Sequence, residues 1–311
     1  MTVDPTPHLI VPFAQCSGDD WLRMATALEL KNLGRLLRGM RLTDTNRGQA
    51  GSLSPPHEGV LARAWGLTNS IDGLIPWAAH EANGAAGQGF AFLTLCHWAM
   101  GREHATLTDP ATLDLTEEQS RTLLAAMQPY FSTEGITLHY LQPTRWLAEG
   151  DVFSSLPTAS LDRVLGRNVD RWLSPSKAIK LLQNEMQMLL YSHPINDVRA
   201  AAGQRSVNSF WLSGSGALTE SVAAAPQVRT TRSLAQTALA DDWTAYKESW
   251  TQLDNTEIRS LLAQQNSGNP VRLSLCGESN ALTFTTAQHG FLTKVKNALS
   301  PQLPINLLKQ L

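Results

Sequence analysis

Near its start the chain carries an uninterrupted apolar, partly β-branched run, His8 to Ala14 (HLIVPFA), which passes straight into the turn-forming CSGDD. A short continuous apolar run bounded by turn residues reads as a strand with both faces covered, so the chain is committed early to a sheet with helices packed on it. Helix-period patterns come next at Trp21 to Leu30 and Leu33 to Met40. Asp44 to Pro56 is rich in Gly, Ser, Thr and Pro and reads as loop. Ser54-Pro55-Pro56 opens a helix running from about His57 to Trp65, with Gly66 as its stop.

The same mixture continues. FAFLTLCHW is a strand after the Gly-rich Ala79 to Gly89, Thr116 caps a helix to Met127, and GITLHYL belongs to an antiparallel pair. Ser174 to Tyr191 is the strongest helix, with Leu181, Leu182, Met186, Leu189 and Leu190 as its apolar face. Trp243 to Gln264 reads as two helices, Val271 to Cys276 as a strand and Gly290 to Leu299 as a late helix. Strands and helices intermixed in this way predict an α/β or α+β protein.

The 311 residues are 42% hydrophobic and 17% charged with a net charge of -2, which disfavours an electrostatic grip on nucleic acid or an anionic membrane. The longest apolar stretches, such as Phe90 to Cys96, are too short to span a bilayer, and MTVDPTPHLIVPFAQ lacks the basic start and long apolar core of a signal peptide. A cytoplasmic location is expected. Cys16, Cys96 and Cys276 are widely spaced and form no zinc pattern, so buried reduced thiols are expected.

Chemistry concentrates in His193 to Gly216, HPINDVRAAAGQRSVNSFWLSGSG. The segment reads as a polar loop after a helix, then a short strand, Ser209 to Leu212, and a Gly-Ser-Gly turn. Asn196, Arg199 and Asn208 with nearby glycines suit an anion, since arginine offers a planar bidentate donor and glycine lets backbone N–H groups approach. The same side chains also suit tying the loop to its own carbonyls, and both readings stand. Arg163, Arg167 and Arg171 recur every four residues and, if helical, form a basic stripe beside Asp162 and Asp170. Cys96, His97, His104 and Asp109 are the densest group of soft ligands but match no common zinc spacing. Neither Ser213-Gly214-Ser215-Gly216 nor GAAGQG meets a nucleophile-elbow or dinucleotide pattern. The nine tryptophans are expected in the core or as pocket walls, with His57, His97 and Trp98 as candidates for one cavity.

His193, Pro194, Asn196, Arg199, Gly203, Asn208, Trp211, Gly214 and Gly216 together resemble a segment of the archaeal-type cofactor-independent phosphoglycerate mutases, of the alkaline phosphatase superfamily. With LSPPHE (53–58), CHW (96–98) and LDRVLGRNVDRWL (161–173), the wider string is similar to the RpfE-type bacterial regulatory proteins. The resemblance implies an α/β fold: an alkaline-phosphatase-like core sheet from residues 1–110 and 217–311, with an embedded α+β subdomain at 111–216.

For a mutase the resemblance also implies two cations about 4 Å apart and a metal-activated Ser or Thr nucleophile. The family's first ligand is an Asp directly after the first strand, where this chain has Gln15-Cys16-Ser17-Gly18 and reaches Asp19 and Asp20 late. Counting back from Gly66 puts His57 at the nucleophile's place, with Glu58 next to it. The family's Asp-His dipeptide is missing, and His289 is the one histidine after residue 216. A chain that resembles the family without these parts is expected to be a non-catalytic regulatory or small-anion-binding relative, with neither metal nor other cofactor. Its ligand contacts would be Asn196, Arg199, Asn208, His57, Glu58, Arg163 and Arg167, and its partner a phosphorylated or anionic metabolite, or a protein. The alternative is an active mutase or phosphotransferase with a rearranged site.

Overall fold

The first apolar run becomes β1 (His8–Val11), buried at every position because its two faces meet different layers. Leu9 and Val11 enter one apolar cluster, whereas Ile10 packs with Val60, Cys276 and Ala281 on the other side. A computed structural model describes residues 5–67, 71–220, 227–287 and 304–311. After β1 come α1 (Asp19–Ala25), α2 (Lys31–Arg38), β2 (Met40–Arg47) and α3 (Pro56–Trp65). The middle of the chain holds α4 (Trp77–Glu81), β3 (Gly89–Cys96), β4 (Trp98–Met100), β5 (Ala105–Leu107), α5 (Glu117–Thr133), β6 (Thr137–Gln142), β7 (Arg145–Glu149), α6 (Leu161–Val164), α7 (Lys177–Tyr191), α8 (Pro194–Ala201) and β8 (Ser209–Ala217). The last part supplies β9 (Val228–Thr230), α9 (Ser233–Leu239), α10 (Trp243–Leu253), α11 (Arg259–Asn266), β10 (Arg272–Cys276), β11 (Asn280–Thr286) and α12 (Pro304–Leu308).

These elements form two units, each mixed α/β. The first comprises residues 1–51, 55–66 and 223–311, the second 52–54 and 67–222. In the first unit the sheet order is β2-β11-β10-β1-β9, with β1 parallel to β9 and β10, and β11 antiparallel to β10 and β2. Residues of α1, α2, α9, α10 and α11 build the large cluster on one face, including fully enclosed Trp21 and Trp250. On the opposite face Val60 of α3 packs on Ile10. Each such fully buried large side chain contributes about 1.5–3 kcal/mol relative to exposure.

The second unit is built on the antiparallel order β6-β7-β3-β8. Ala91, Leu93 and Leu95 of β3, Trp146 of β7 and Phe210 of β8 face a cluster completed by Leu123, Met127 and Phe131 of α5 and Leu182, Met186 and Leu190 of α7. Thr116 and Gln119 close a reciprocal capping box on α5, satisfying donors the helix cannot pair internally.

Several expectations need correction. The division falls after residue 66 rather than 110, because β3 pairs with β7 and β8 instead of extending the first sheet. Residues 194–201 are helix rather than loop, started by Pro194 at a position where its missing N–H costs nothing. Leu181 is exposed on α7, whose buried face is Ile179, Leu182, Gln183, Met186 and Leu190. Part of the stretch assigned to loop is β2, a polar edge strand against β11. The basic stripe does not form: helix ends at Val164, Gly166 takes a left-handed φ of 69°, and a separate 3-10 turn spans Val169–Trp172. The late helix expected at 290–299 lies outside the described residues. Among the described residues no helix is long and apolar enough to cross a membrane.

Candidate functional site

Open α/β sheets bind ligands beyond the carboxyl ends of their parallel strands, where loops and helix starts converge. In the first unit that edge lies just past Val11 of β1 and Cys276 of β10. Phe13 takes a left-handed φ of 54°, an uncommon conformation for a side chain of that size. Its ring lies 5.9 Å from that of His57, between centroids, and its carbonyl accepts a 2.5 Å hydrogen bond from Tyr246 Oη. Ala14 N donates to Cys276 O at 2.8 Å, tying the turn to the neighbouring strand.

The chain's last residues close the same edge. A Cβ added to Gly277 would meet Leu311 Cβ at 2.7 Å and Gln15 Oε1 at 2.8 Å, so that position requires glycine. Asn280 N donates to Leu311 O at 3.0 Å, and Leu307, Leu308 and Leu311 are buried in the main cluster. His57 is buried in the first turn of α3, whose far end is the left-handed cap Gly66, as the sequence predicts. Glu58, next along the helix, is half-buried. The edge is thus aromatic, imidazole and aliphatic in character. Asp19 and Asp20, the first carboxylates after β1, are exposed on α1, where Asp20 pairs with Arg23.

The second unit holds the motif-bearing segment. Asn196 Nδ2 donates to Leu190 O (2.7 Å) and Val207 O (2.8 Å), and its Oδ1 accepts from Val207 N (2.9 Å). Asn208 accepts from Trp98 N (2.7 Å) and donates to Trp98 O (3.0 Å), pinning β4. Arg199 is fully buried. Its Nε donates to Arg205 O and its Nη1 to Gln119 Oε1, both at 2.8 Å, and its Nη2 donates to Leu113 O. Burial pulls the Arg199 guanidinium below its ordinary range, while nearby Asp114 acts in the opposite sense. These bonds tie the segment to itself and to neighbouring elements; an anion at the same atoms would have to break them.

Arg163 lies elsewhere in this unit: its Nη2 donates to Ser52 Oγ (2.7 Å) and Ser54 O (3.4 Å). Asp72 holds the same three-residue segment through Leu53 N (2.6 Å) and Ser54 N (2.9 Å). Arg167 is half-buried after Gly166. His97 and Trp98 belong to the second unit and His57 to the first. His97 Nδ1 meets Ser206 O at 2.9 Å and Asp109 caps a 3-10 turn. Burial, opposed by a hydrogen bond with Trp98, drives the Cys96 thiol well above its ordinary range. The expected Gly-Ser-Gly turn is instead a continuation of β8, whose pairing with β3 runs on to Ala217, and Ser215 Oγ in it donates to Leu156 O at 2.5 Å. Trp172 and Trp211 line a small cavity beside β8, as expected of pocket-wall tryptophans. All three cysteines are buried thiols. Among the described residues no three His, Cys, Asp or Glu side chains converge as a metal-ligand group. Sequence reading missed Phe13, Tyr246 and Leu311, which carry no motif and meet only through the fold.

No family model and no curated protein matches the chain. Among solved structures it is similar to a cofactor-independent phosphoglycerate mutase from Thermoplasma acidophilum, with 11% identity, TM-score 0.36, 98% of this chain and 99% of that one covered. A protein from Pyrococcus horikoshii is similar with 12% identity and TM-score 0.45 over 92% of this chain and 88% of the other.

Proposed function

We propose that the chain is a non-catalytic relative of the cofactor-independent phosphoglycerate mutases, on an alkaline-phosphatase-like core, that acts as a regulatory protein binding a small phosphorylated or anionic metabolite. The observation that carries this reading is the Phe13–His57 contact at the carboxyl edge of β1. In the family that the motifs resemble, a carboxylate ligand comes directly after the first strand and a hydroxyl nucleophile opens the helix. Here Gln15-Cys16-Ser17-Gly18 follows the strand and its Phe13 turn, and the buried imidazole of His57 stands where counting back from Gly66 puts the hydroxyl. An imidazole cannot serve as the alkoxide, and the first carboxylate after the strand, Asp19, comes several residues late for the ligand position. The shared strings LSPPHE, CHW and LDRVLGRNVDRWL favour the RpfE-type regulatory group over the enzymes.

We assign the anion contact to Arg167, which is half-buried and open to solvent, whereas Arg163 and Arg199 are enclosed and Asn196 and Asn208 bind backbone groups. Thermal shift with inorganic phosphate and with 3-phosphoglycerate tests the binding part; stabilisation should rise with ligand concentration and shrink in Arg167→Ala. A manganese-supplemented mutase assay tests the rest. The expected result is no interconversion of 2- and 3-phosphoglycerate above a protein-free control. Turnover that disappears in His57→Ala would overturn the proposal.

A further inference from the structure

At the opposite, amino end of the first unit's parallel strands lies a half-open cleft that the proposed function leaves unused. Its apolar walls are Pro7, Leu9 and Leu261, and its polar lining includes Gln227 and Gln264. An ion pair lines it: Arg229 Nη2 of β9 donates to Glu257 Oε1 at 3.2 Å.

The placement of Glu257 comes from an irregularity. Between α10 and α11 the chain makes a π turn, Asp254–Ile258, which inserts a residue relative to α-helical register. Asp254 points one way, its carboxylate accepting from Asn32 N (3.0 Å) and Leu33 N (2.8 Å) at the start of α2. Glu257 lines the cleft, where Thr256 Oγ1 also donates to it. The widened turn serves two directions that a regular helix would hold closer together.

We infer that this cleft binds a small zwitterion of the α-amino-acid class, its carboxylate on Arg229, its ammonium on Glu257 and its side chain against Leu9 and Leu261. A ligand of single charge would satisfy one of the two groups and displace the other's partner. A neutral apolar ligand would cover both without replacing their hydration. A zwitterion matches both signs and the apolar wall together. The Arg229 side chain is 72% exposed, so the existing pair is screened by water and opens at little cost.

No residue of the proposed anion contact or of the β1 edge lines this cleft, so either assignment can fail alone. Calorimetric titration of the full chain with the standard amino acids, acetate and propylamine tests it. At least one amino acid should bind, more tightly than acetate or propylamine. Arg229→Ala and Glu257→Gln should each weaken that binding about tenfold or more. Ser260→Trp, at an exposed position on the cleft wall, should block binding while leaving the melting curve unchanged. Absence of binding by every amino acid, binding of acetate or propylamine with equal affinity, or unaltered affinity in all three variants would overturn the inference.

Discussion

Arg199 shows how a residue of strong chemical promise can be spent on architecture. Its guanidinium bridges Leu113 O, Gln119 Oε1 and Arg205 O in a fully buried position. Truncation strands those acceptors, so Arg199→Ala should cost roughly 3 kcal/mol, read as a lower urea midpoint at unchanged slope. An unaltered midpoint would mean the bonds contribute nothing. The buried thiols supply a pH signature. Burial raises Cys96 and Cys276 far above the value near 8.5 at which unfolded thiols ionise. Above that pH the unfolded chain has lost protons that the folded chain still holds. Stability is therefore complete below about pH 8.5 and falls above it by about 1.4 kcal/mol per pH unit for each thiol. Denaturation midpoints measured across the alkaline range should flatten when both residues are replaced by alanine; an equally steep decline in that variant would refute the assignment.

Elements differ in how much of them the sequence revealed. β1, β3, α3 and α7 were legible because burial wrote itself into apolar runs or helical spacing. β2, with its exposed MRLTDTNR pattern, was not: an edge strand is defined by pairing with β11, and polar residues at an edge resist aggregation rather than marking a core. α8 was missed because its polar residues suited a loop equally well, and two of the bonds of Asn196 exist only once Val207, ahead of β8, lies alongside. The candidate edge was legible in part: His57 came from counting back from Gly66, whereas Tyr246 and Leu311 reach it from distant sequence. Two substitutions test the element-level reading. Asp254→Ala removes the carboxylate that caps α2 from the π turn and should cost about 1–2 kcal/mol. Gly214→Ala in β8 adds a Cβ 3.0 Å from Phe92 Cδ2 at a left-handed φ of 61° and should cost roughly 1–3 kcal/mol. Thermal or chemical melts read both, and losses below a few tenths would contradict the packing described.

At the scale of the molecule each unit carries its own sheet and its own apolar cluster. Residues 67–222 expressed alone should therefore melt cooperatively, as monitored by circular dichroism, despite losing the 52–54 segment held by Asp72 and Arg163. A non-cooperative transition would show that the second unit depends on the first. The proposed absence of catalysis rests on the edge of the first sheet, where Phe13 packs on the buried His57. Its most direct test is the metal content of the purified protein after equilibration with manganese and zinc and removal of loosely held ions. The account predicts far less than one equivalent of any divalent metal per chain. Two equivalents retained, and lost on substitution of His57 or Glu58, would contradict it.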